Sequence, residues 1–148
     1  MSEKVKINIV NRQKTAEGDT DCLKQQVEGT LYRKNSVYYL VYDEKSEGLE
    51  GVRTTLKIEP EVERFFLIRS KPLRYKQSFC KRERTTGQYQ TVHGSIQTEI
   101  ETDRLDFFLK ENRGRIILEY KLYLAGEMTA YNKLEISYYT EGVEDFAE

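Results

Sequence analysis

Three polar residues have the types and spacing of a small charged site. Tyr42 and Glu44 are two positions apart, so on a strand they share one face, and Arg69 ends a strand further along the chain. A guanidinium fork matches a carboxylate in geometry. Arg69 is therefore predicted either to pair with Glu44 as a structural ion pair or to anchor the carboxylate of a ligand, with Tyr42 as a hydrogen-bond donor.

His93 is the only histidine of the chain, and Tyr89 lies just before it. Metal sites gather His with Cys, Asp or Glu at close spacing, and the neighbours of His93 do not form such a set. We predict no metal and no cofactor. Tyr89 and His93 are added to the candidate ligand site, with a haem ligand or an ordinary polar strand residue as the alternatives for His93.

Motifs of nucleophilic catalysis and phosphate binding are missing from the sequence, which has no G-x-S-x-G, Walker or G-x-G-x-x-G pattern. Cys80 precedes Lys81 and Arg82, and positive neighbours lower the pKa of a thiol, but nothing in the sequence places His93 beside it. The chain is predicted not to be an enzyme. Cys22 and Cys80 are predicted to be reduced thiols.

The charge of the chain is unevenly distributed. The formal net charge is -1, yet residues 71–84 carry six basic side chains against Glu83, and residues 141–148 carry four acidic side chains and no basic one. Basic and aromatic side chains in alternation bind single-stranded nucleic acid, although charges on a solvated strand also oppose aggregation. The candidate interaction surface consists of Arg74, Tyr75, Lys76, Lys81, Arg82 and Arg84.

Composition indicates that strands position these residues. Val, Ile, Thr, Tyr and Phe together provide 47 of the 148 residues, against 4 Ala. The first group favours strands, and Ala is the strongest helix former. No apolar run is long enough to span a membrane, and the start of the chain lacks the apolar segment of a secretory signal. We expect a cytoplasmic location and no membrane partner.

Hydrophobic alternation and short turns divide the chain into a series of strands. Turns are predicted at 85–87 and at 112–114, and Gly29 inside a strand predicts a bulge or bend. Consecutive short strands favour antiparallel pairing between neighbours, and closure removes the free edges. We predict an all-β, antiparallel up-and-down barrel of about eight to ten strands, with a sandwich as the alternative, in a single domain over 1–148.

The order and spacing of several short motifs resemble the YwiB-like family over nearly the full length. The motifs are Tyr42-Asp43-Glu44, Thr54-Thr55-Leu56-Lys57, Leu67-Ile68-Arg69-Ser70, Tyr89-Gln90-Thr91-Val92-His93-Gly94, Gly114-Arg115-Ile116 and Leu134-Glu135-Ile136-Ser137-Tyr138. The resemblance implies a bacterial cytoplasmic domain of unknown function with a lipocalin-like (calycin) β-barrel. It implies no known reaction. A barrel of this size holds one small ligand or is filled by its own side chains.

The sequence therefore predicts a non-enzymatic binding module for a small anionic or amphipathic molecule. The alternative is a protein or RNA interaction module that uses the basic 71–84 strand face, with nucleic acid as the less favoured partner. Monomer and homodimer both stay open. A continuous interior cavity above ~300 Å³ favours the ligand, whereas a packed interior favours surface interaction.

Overall fold

The protein is an all-β molecule in the computed structural model, which describes residues 2–45, 47–70 and 74–140. The acidic segment 141–148 and the first three residues of the basic stretch 71–84 lie outside the described residues. Within those residues, no helix is long and apolar enough to cross a membrane. The strands are β1 (Ser2–Thr15), β2 (Thr20–Lys34), β3 (Val37–Asp43), β4 (Arg53–Glu59), β5 (Arg64–Arg69), β6 (Arg74–Cys80), β7 (Arg84–Thr91), β8 (Gly94–Leu109), β9 (Arg113–Leu124) and β10 (Glu127–Thr140).

The strands pair in chain order and close into a barrel. Each strand is antiparallel to its neighbour, and β1 pairs with both β2 and β10. A short 3-10 turn, Pro60–Val62, connects β4 to β5. The all-β, antiparallel up-and-down barrel predicted from the sequence is confirmed, with ten strands described. Closure leaves no free edge between the first and last strands.

The turn predicted at 85–87 is wrong. Strand β7 runs through these residues, and the chain turns earlier, at 81–83, where Arg82 has a φ of 64°. Gly87 lies directly opposite Gln77 in the ladder, and a Cβ at Gly87 would overlap the Gln77 side chain. The glycine therefore makes room for a buried side chain and does not mark a turn.

The turn predicted at 112–114 is present between β8 and β9, but it lies two residues earlier, at 110–112, where the Lys110 N–H donates to the Arg113 carbonyl. Strand β9 already includes Gly114, and the ring of Tyr138 occupies the space that a Cβ there would need. Of the bulge or bend predicted at Gly29, the bulge is wrong, because the β1–β2 register continues through that residue; the bend stays a prediction. Register shifts occur instead between Thr102 and Arg104 and between Met128 and Ala130.

Residues along the inside of the barrel change from apolar to polar toward one end. We call this the upper end; it is where β1 ends and β2 begins. On β1 the inward residues are Val5, Ile7 and Ile9, followed by Asn11 and Gln13. The lower part of the barrel is filled by buried apolar side chains, which include Val5, Ile7, Val27, Leu31, Leu40, Ile58, Phe65, Leu105, Ile116, Leu118 and Tyr138.

Candidate functional site

The upper part of the barrel encloses a cavity of about 380 Å³. Inward residues near the upper ends of the strands line it, and they combine apolar walls such as Leu67 and Leu122 with polar groups such as Arg69 and Asn132. Four other pockets are larger, about 420 to 600 Å³. Those pockets are more open to solvent, whereas the interior cavity is bounded by residues of all ten strands. The interior cavity is therefore the better site for a small molecule.

Arg69 and Glu44 form an ion pair at the wall of this cavity. Arg69 Nε lies 3.7 Å from Glu44 Oε2, and the Glu44 side chain is 0% exposed against 17% for Arg69. Glu44 also accepts hydrogen bonds from Thr54 Oγ1 (2.6 Å) and from Gln25 Nε2 (3.5 Å). Arg69 lines the cavity while Glu44 lies behind it. The pairing predicted from the sequence is present, and it orients the guanidinium toward the interior.

Four inward tyrosines, Tyr42, Tyr75, Tyr89 and Tyr120, lie near the guanidinium of Arg69. Its Nη1 donates to the hydroxyl of Tyr89 at 3.3 Å. The Tyr89 ring stacks on Tyr75 with the ring centroids 3.9 Å apart and the planes 6° from parallel. Tyr120 also lines the cavity; burial raises its pKa, and the positive charge of Arg69 acts against this shift. Sequence reasoning identified Tyr89 but missed the role of Tyr120.

The inward tyrosines are protonated at neutral pH, as phenols are at their ordinary pKa of about 10, and burial raises that pKa. Desolvation raises the pKa of Tyr75 to about 12. Burial also raises the pKa of Tyr42, and the negative charge of Glu44 raises it further. Because both phenols carry their protons at neutral pH, both can donate hydrogen bonds.

A buried amide supports the tyrosine stack from below. Gln77 is 0% exposed, and its Oε1 accepts from Tyr75 Oη at 3.1 Å and from Thr98 Oγ1 at 2.8 Å. Its Nε2 donates to the Ser78 carbonyl at 3.0 Å and to Thr85 Oγ1 at 3.1 Å. Both ends of the amide are satisfied, as buried polar groups require. Gln77 therefore positions Tyr75 without facing the cavity, a role that the sequence pattern did not reveal.

A second polar cluster lies on the wall formed by β1 and β10. Gln13 Nε2 donates to Asn132 Oδ1 at 3.2 Å across the β1–β10 pair. Asn132 Nδ2 and Asn11 Oδ1 are both buried and have no hydrogen-bond partner among the described residues. All three amides line the cavity. Sequence analysis did not select them, since amide side chains on strands are common and closure of the barrel brings them together.

His93 is not brought into this site. It lies in the turn between β7 and β8 with its side chain exposed, outside the residues that line the cavity. In the described ranges no three His, Cys, Asp or Glu side chains are grouped as metal ligands. Cys22 and Cys80 are both free thiols. Burial and a hydrogen bond to Glu83 raise the pKa of Cys80, so its basic neighbours do not activate it.

The predicted basic surface is divided by the fold. Tyr75, expected to stack at the surface, is only 6% exposed and points into the barrel. Lys81 and Arg82 lie in the turn at the lower end, away from Arg74 at the upper end of β6. Arg84 pairs with acidic residues of β8, Glu99 and Glu101, at 3.1 and 3.3 Å. Of the six predicted residues, Arg74 and Lys76 share one exposed stretch of β6.

The fold and the cavity define a class: a closed ten-stranded antiparallel barrel with a lined interior space in its upper part. Within that class the chain belongs to a family described as a domain of unknown function (DUF1934), whose model matches residues 7–136. It is 26% identical over 123 residues to the uncharacterised beta-barrel protein YwiB of Bacillus subtilis strain 168, which covers 82% of this chain and 84% of the relative. The crystal structure of the ywiB protein from Bacillus subtilis matches with a TM-score of 0.83 at 21% identity, over 94% of this chain and 92% of the other.

Proposed function

We propose that the protein is a non-enzymatic module that binds one small amphipathic, anionic molecule inside the upper part of the barrel. The observation that carries this proposal is the cavity of about 380 Å³ with Arg69 in its wall. A barrel filled by its own side chains would have no such space. Specific small-molecule sites usually occupy at least ~300 Å³, and this cavity exceeds that volume.

The charge on the cavity wall favours an anion. Arg69 Nε is buried and has no hydrogen-bond partner among the described residues, because Glu44 approaches it no closer than 3.7 Å. A guanidinium has five N–H donors, and among the described residues Arg69 donates a hydrogen bond from Nη1 to Tyr89. A carboxylate placed beside Arg69 would receive the remaining donors as charge-assisted hydrogen bonds. Leucine and isoleucine side chains around the rest of the cavity suit an aliphatic body.

Native mass spectrometry of the protein purified from its own host is the first test of the proposal. We expect one small molecule retained at a one-to-one ratio. Calorimetric titration with octanoate then tests the anion site directly, and the neutral analogue octanamide serves as its comparison. Octanoate is expected to bind more tightly than octanamide by about tenfold, which corresponds to one charge-assisted hydrogen bond. Absence of both a retained molecule and any octanoate binding would overturn the proposal.

Variants of the ion pair separate binding from folding. Arg69→Gln alone leaves Glu44 as a buried, unpaired charge and is expected to destabilise the barrel. The double variant Glu44→Gln with Arg69→Gln removes both charges, so it is expected to fold and to lose the preference for octanoate over octanamide. Arg74→Gln, which changes an exposed arginine of the next strand, is the matched control and keeps that preference.

A second candidate function is single-stranded RNA binding on the outer face of β3 to β6. Tyr39, Lys57 and Phe66 follow one another across three neighbouring strands. Lys57 Nζ lies 5.2 Å from the centre of the Phe66 ring, and Lys76 Nζ lies 5.8 Å from it. Within the described residues neither lysine has a carboxylate within salt-bridge distance. A half-exposed aromatic ring between two unpaired cations is suited to stacking a base beside its phosphate.

Fluorescence anisotropy with oligouridylate tests this second candidate. Phe66→Ser is expected to weaken binding by about tenfold, the loss of one stacked base. Phe108→Ser is the matched control, because Phe108 is 48% exposed on the outside of another strand, β8. Binding should also fall steeply as salt rises. Equal losses in the two variants, or no binding at low salt, would exclude this function.

The proposed cellular location is the cytoplasm. Both cysteines are free thiols, and one of them, Cys22, is exposed. Thiols persist in reducing compartments and pair to disulfides in oxidising ones. Separation of cell fractions followed by immunodetection of the protein tests the location.

A further inference from the structure

We infer that the ligand carries a second polar group, an amide-like pair of a hydrogen-bond donor and a hydrogen-bond acceptor, at the end opposite its anionic group. This inference rests on the proposed function and adds the chemical class of the ligand to it. The observation that carries it is the amide cluster of Asn11, Gln13 and Asn132 on the cavity wall.

Asn132 provides a fixed donor. Its side chain is 5% exposed, and its Oδ1 accepts from Gln13 Nε2 at 3.2 Å. That bond sets the orientation of the amide plane. Nδ2 is left buried against the cavity without a hydrogen-bond partner among the described residues. Burial of an unpaired N–H costs free energy, so the site favours a ligand that offers an acceptor there.

Asn11 provides the matching acceptor. Its Oδ1 is also buried and without a partner in the described part of the chain. Asn11 and Asn132 are diagonal neighbours in the β1–β10 ladder, because Gln13 is the residue directly opposite Asn132. Diagonal side chains on one face of a sheet are within reach of one small group. An N–H donor and a C=O acceptor side by side are the complement of a carboxamide, a lactam or a ureido group.

The amide cluster and Arg69 are on opposite sides of the barrel. In the closed ring of ten strands, β10 and β5 are five strands apart in either direction, so Asn132 and Arg69 face each other across the interior. Leu67, two residues before Arg69 on β5, and Leu134, two residues after Asn132 on β10, add apolar wall to the same cavity. A molecule that binds both Arg69 and the amide cluster has an anionic group at one end, an apolar middle and an amide-like group at the other end.

The test uses the monoamides of linear dicarboxylic acids, which have a carboxylate at one end and a primary amide at the other. A series with about four to eight methylenes covers the lengths that a cavity of this size accepts. Monocarboxylates of the same chain lengths are the comparison. In the wild-type protein, the best monoamide is expected to bind about tenfold more tightly than its monocarboxylate, the worth of one or two buried hydrogen bonds.

Asn132→Leu is expected to abolish this preference while monocarboxylate binding continues. The preference is a ratio of two affinities within one variant, so the folded fraction cancels from it. Gln25→Leu is the matched control: Gln25 lines the same cavity from β2 and donates to Glu44, and this variant is expected to keep the preference. Equal binding of both probe classes to the wild type, or an unchanged ratio in Asn132→Leu, would overturn the inference and leave the proposed function standing. If no monocarboxylate binds and the protein purified from its host retains no small molecule, the proposed function fails, and this inference fails with it.

Discussion

Glu44 has a fully buried side chain, and Arg69 Nε lies 3.7 Å from its Oε2 with no other hydrogen-bond acceptor in the described structure. The carboxylate thus neutralises the guanidinium at a distance that leaves room for a competing anion. A buried pair of this kind contributes little net stability compared with apolar residues, but the loss of one partner is costly. The pair can therefore hold Arg69 in place for a ligand without saturating it.

Glu44→Gln is expected to lower stability and raise affinity for an anion. Glutamine keeps the acceptor for Thr54 but removes the countercharge of Arg69, at a cost of ~3 kcal/mol in the free energy of unfolding. The same change frees the guanidinium, so octanoate should bind more tightly. Urea unfolding and calorimetry measure the two effects. Asp43→Asn is the control, because Asp43 pairs with Arg53 at an exposed site where screening by solvent makes the loss small. Weaker octanoate binding to Glu44→Gln would contradict this account of the pair.

Gly87→Ala is expected to destabilise the barrel by ~1–3 kcal/mol, the usual cost of inserting a methyl group into packed space. The added Cβ would overlap Gln77, whose amide is held by hydrogen bonds at both ends. The loss of stability caused by Gly87→Ala should be smaller in a protein that already carries Gln77→Ala. Urea unfolding of the two single variants and the double variant measures this coupling as a double-mutant cycle. Gln88→Ala, at an exposed position of the same strand, is the control. Additive losses in the cycle would show that Gly87 is required for another reason.

Two buried tyrosine hydroxyls are expected to respond in opposite ways to removal. Tyr138 Oη is buried without a hydrogen-bond partner among the described residues, whereas Tyr42 hydrogen-bonds to Glu44. Tyr138→Phe should leave stability unchanged or raise it by ~1 kcal/mol, and Tyr42→Phe should lower it by a similar amount. Thermal unfolding of the two variants side by side checks the difference. An equal loss in both would mean that Tyr138 Oη has a partner in solution.

Strand alternation was enough to predict the fold but not all of the site, and turn chemistry misplaced the connection between β6 and β7. The spacing of Tyr42 and Glu44 alone placed them on one face of a strand. The position of Arg69 at the end of a later strand was enough to predict that it could pair with Glu44. The hydrogen bond between Gln13 and Asn132 joins residues 119 positions apart, and it exists because β1 closes onto β10. Gly87 was interpreted as a turn signal. A single sequence does not show that the Gln77 side chain occupies the space in which a Cβ of residue 87 would lie.

The distribution of charge along the sequence was a poorer guide than strand alternation to which residues share a surface. Tyr75 belongs to a basic stretch of sequence, but strand parity turns it inward while its neighbours Arg74 and Lys76 face solvent. A segment that looks uniform in composition thus contributes to two different environments. Tyr75 stacks on Tyr89 because the two residues are direct partners in the pairing of β6 with β7. A turn at 85–87 would not place these two residues opposite each other.

The two cysteines are expected to alkylate at different rates. Cys22 is exposed, whereas burial and the hydrogen bond to Glu83 raise the pKa of Cys80 and reduce its thiolate fraction. Because the thiolate is the reactive form, iodoacetamide at neutral pH should modify Cys22 first, as peptide mass spectrometry will show. Glu83→Gln should reduce the difference between the two alkylation rates, because it removes one cause of the raised pKa of Cys80. Faster modification of Cys80 than of Cys22 would contradict the raised pKa of Cys80.

Stability is expected to fall steeply in alkaline solution. The pKa of Tyr75 rises from 10.0 to about 12 in the folded protein, and burial also raises the pKa values of Tyr42, Tyr120 and Tyr138. A raised folded pKa means that the native state holds its proton more tightly than the unfolded chain does. The stabilisation is thus complete below pH 10 and is lost as pH rises toward 12. Urea unfolding over a pH series, with tyrosinate absorbance recorded in parallel, should show these side chains ionising together with unfolding. Full tyrosine ionisation in a chain that keeps its strand circular dichroism would mean that the barrel interior is open to hydroxide.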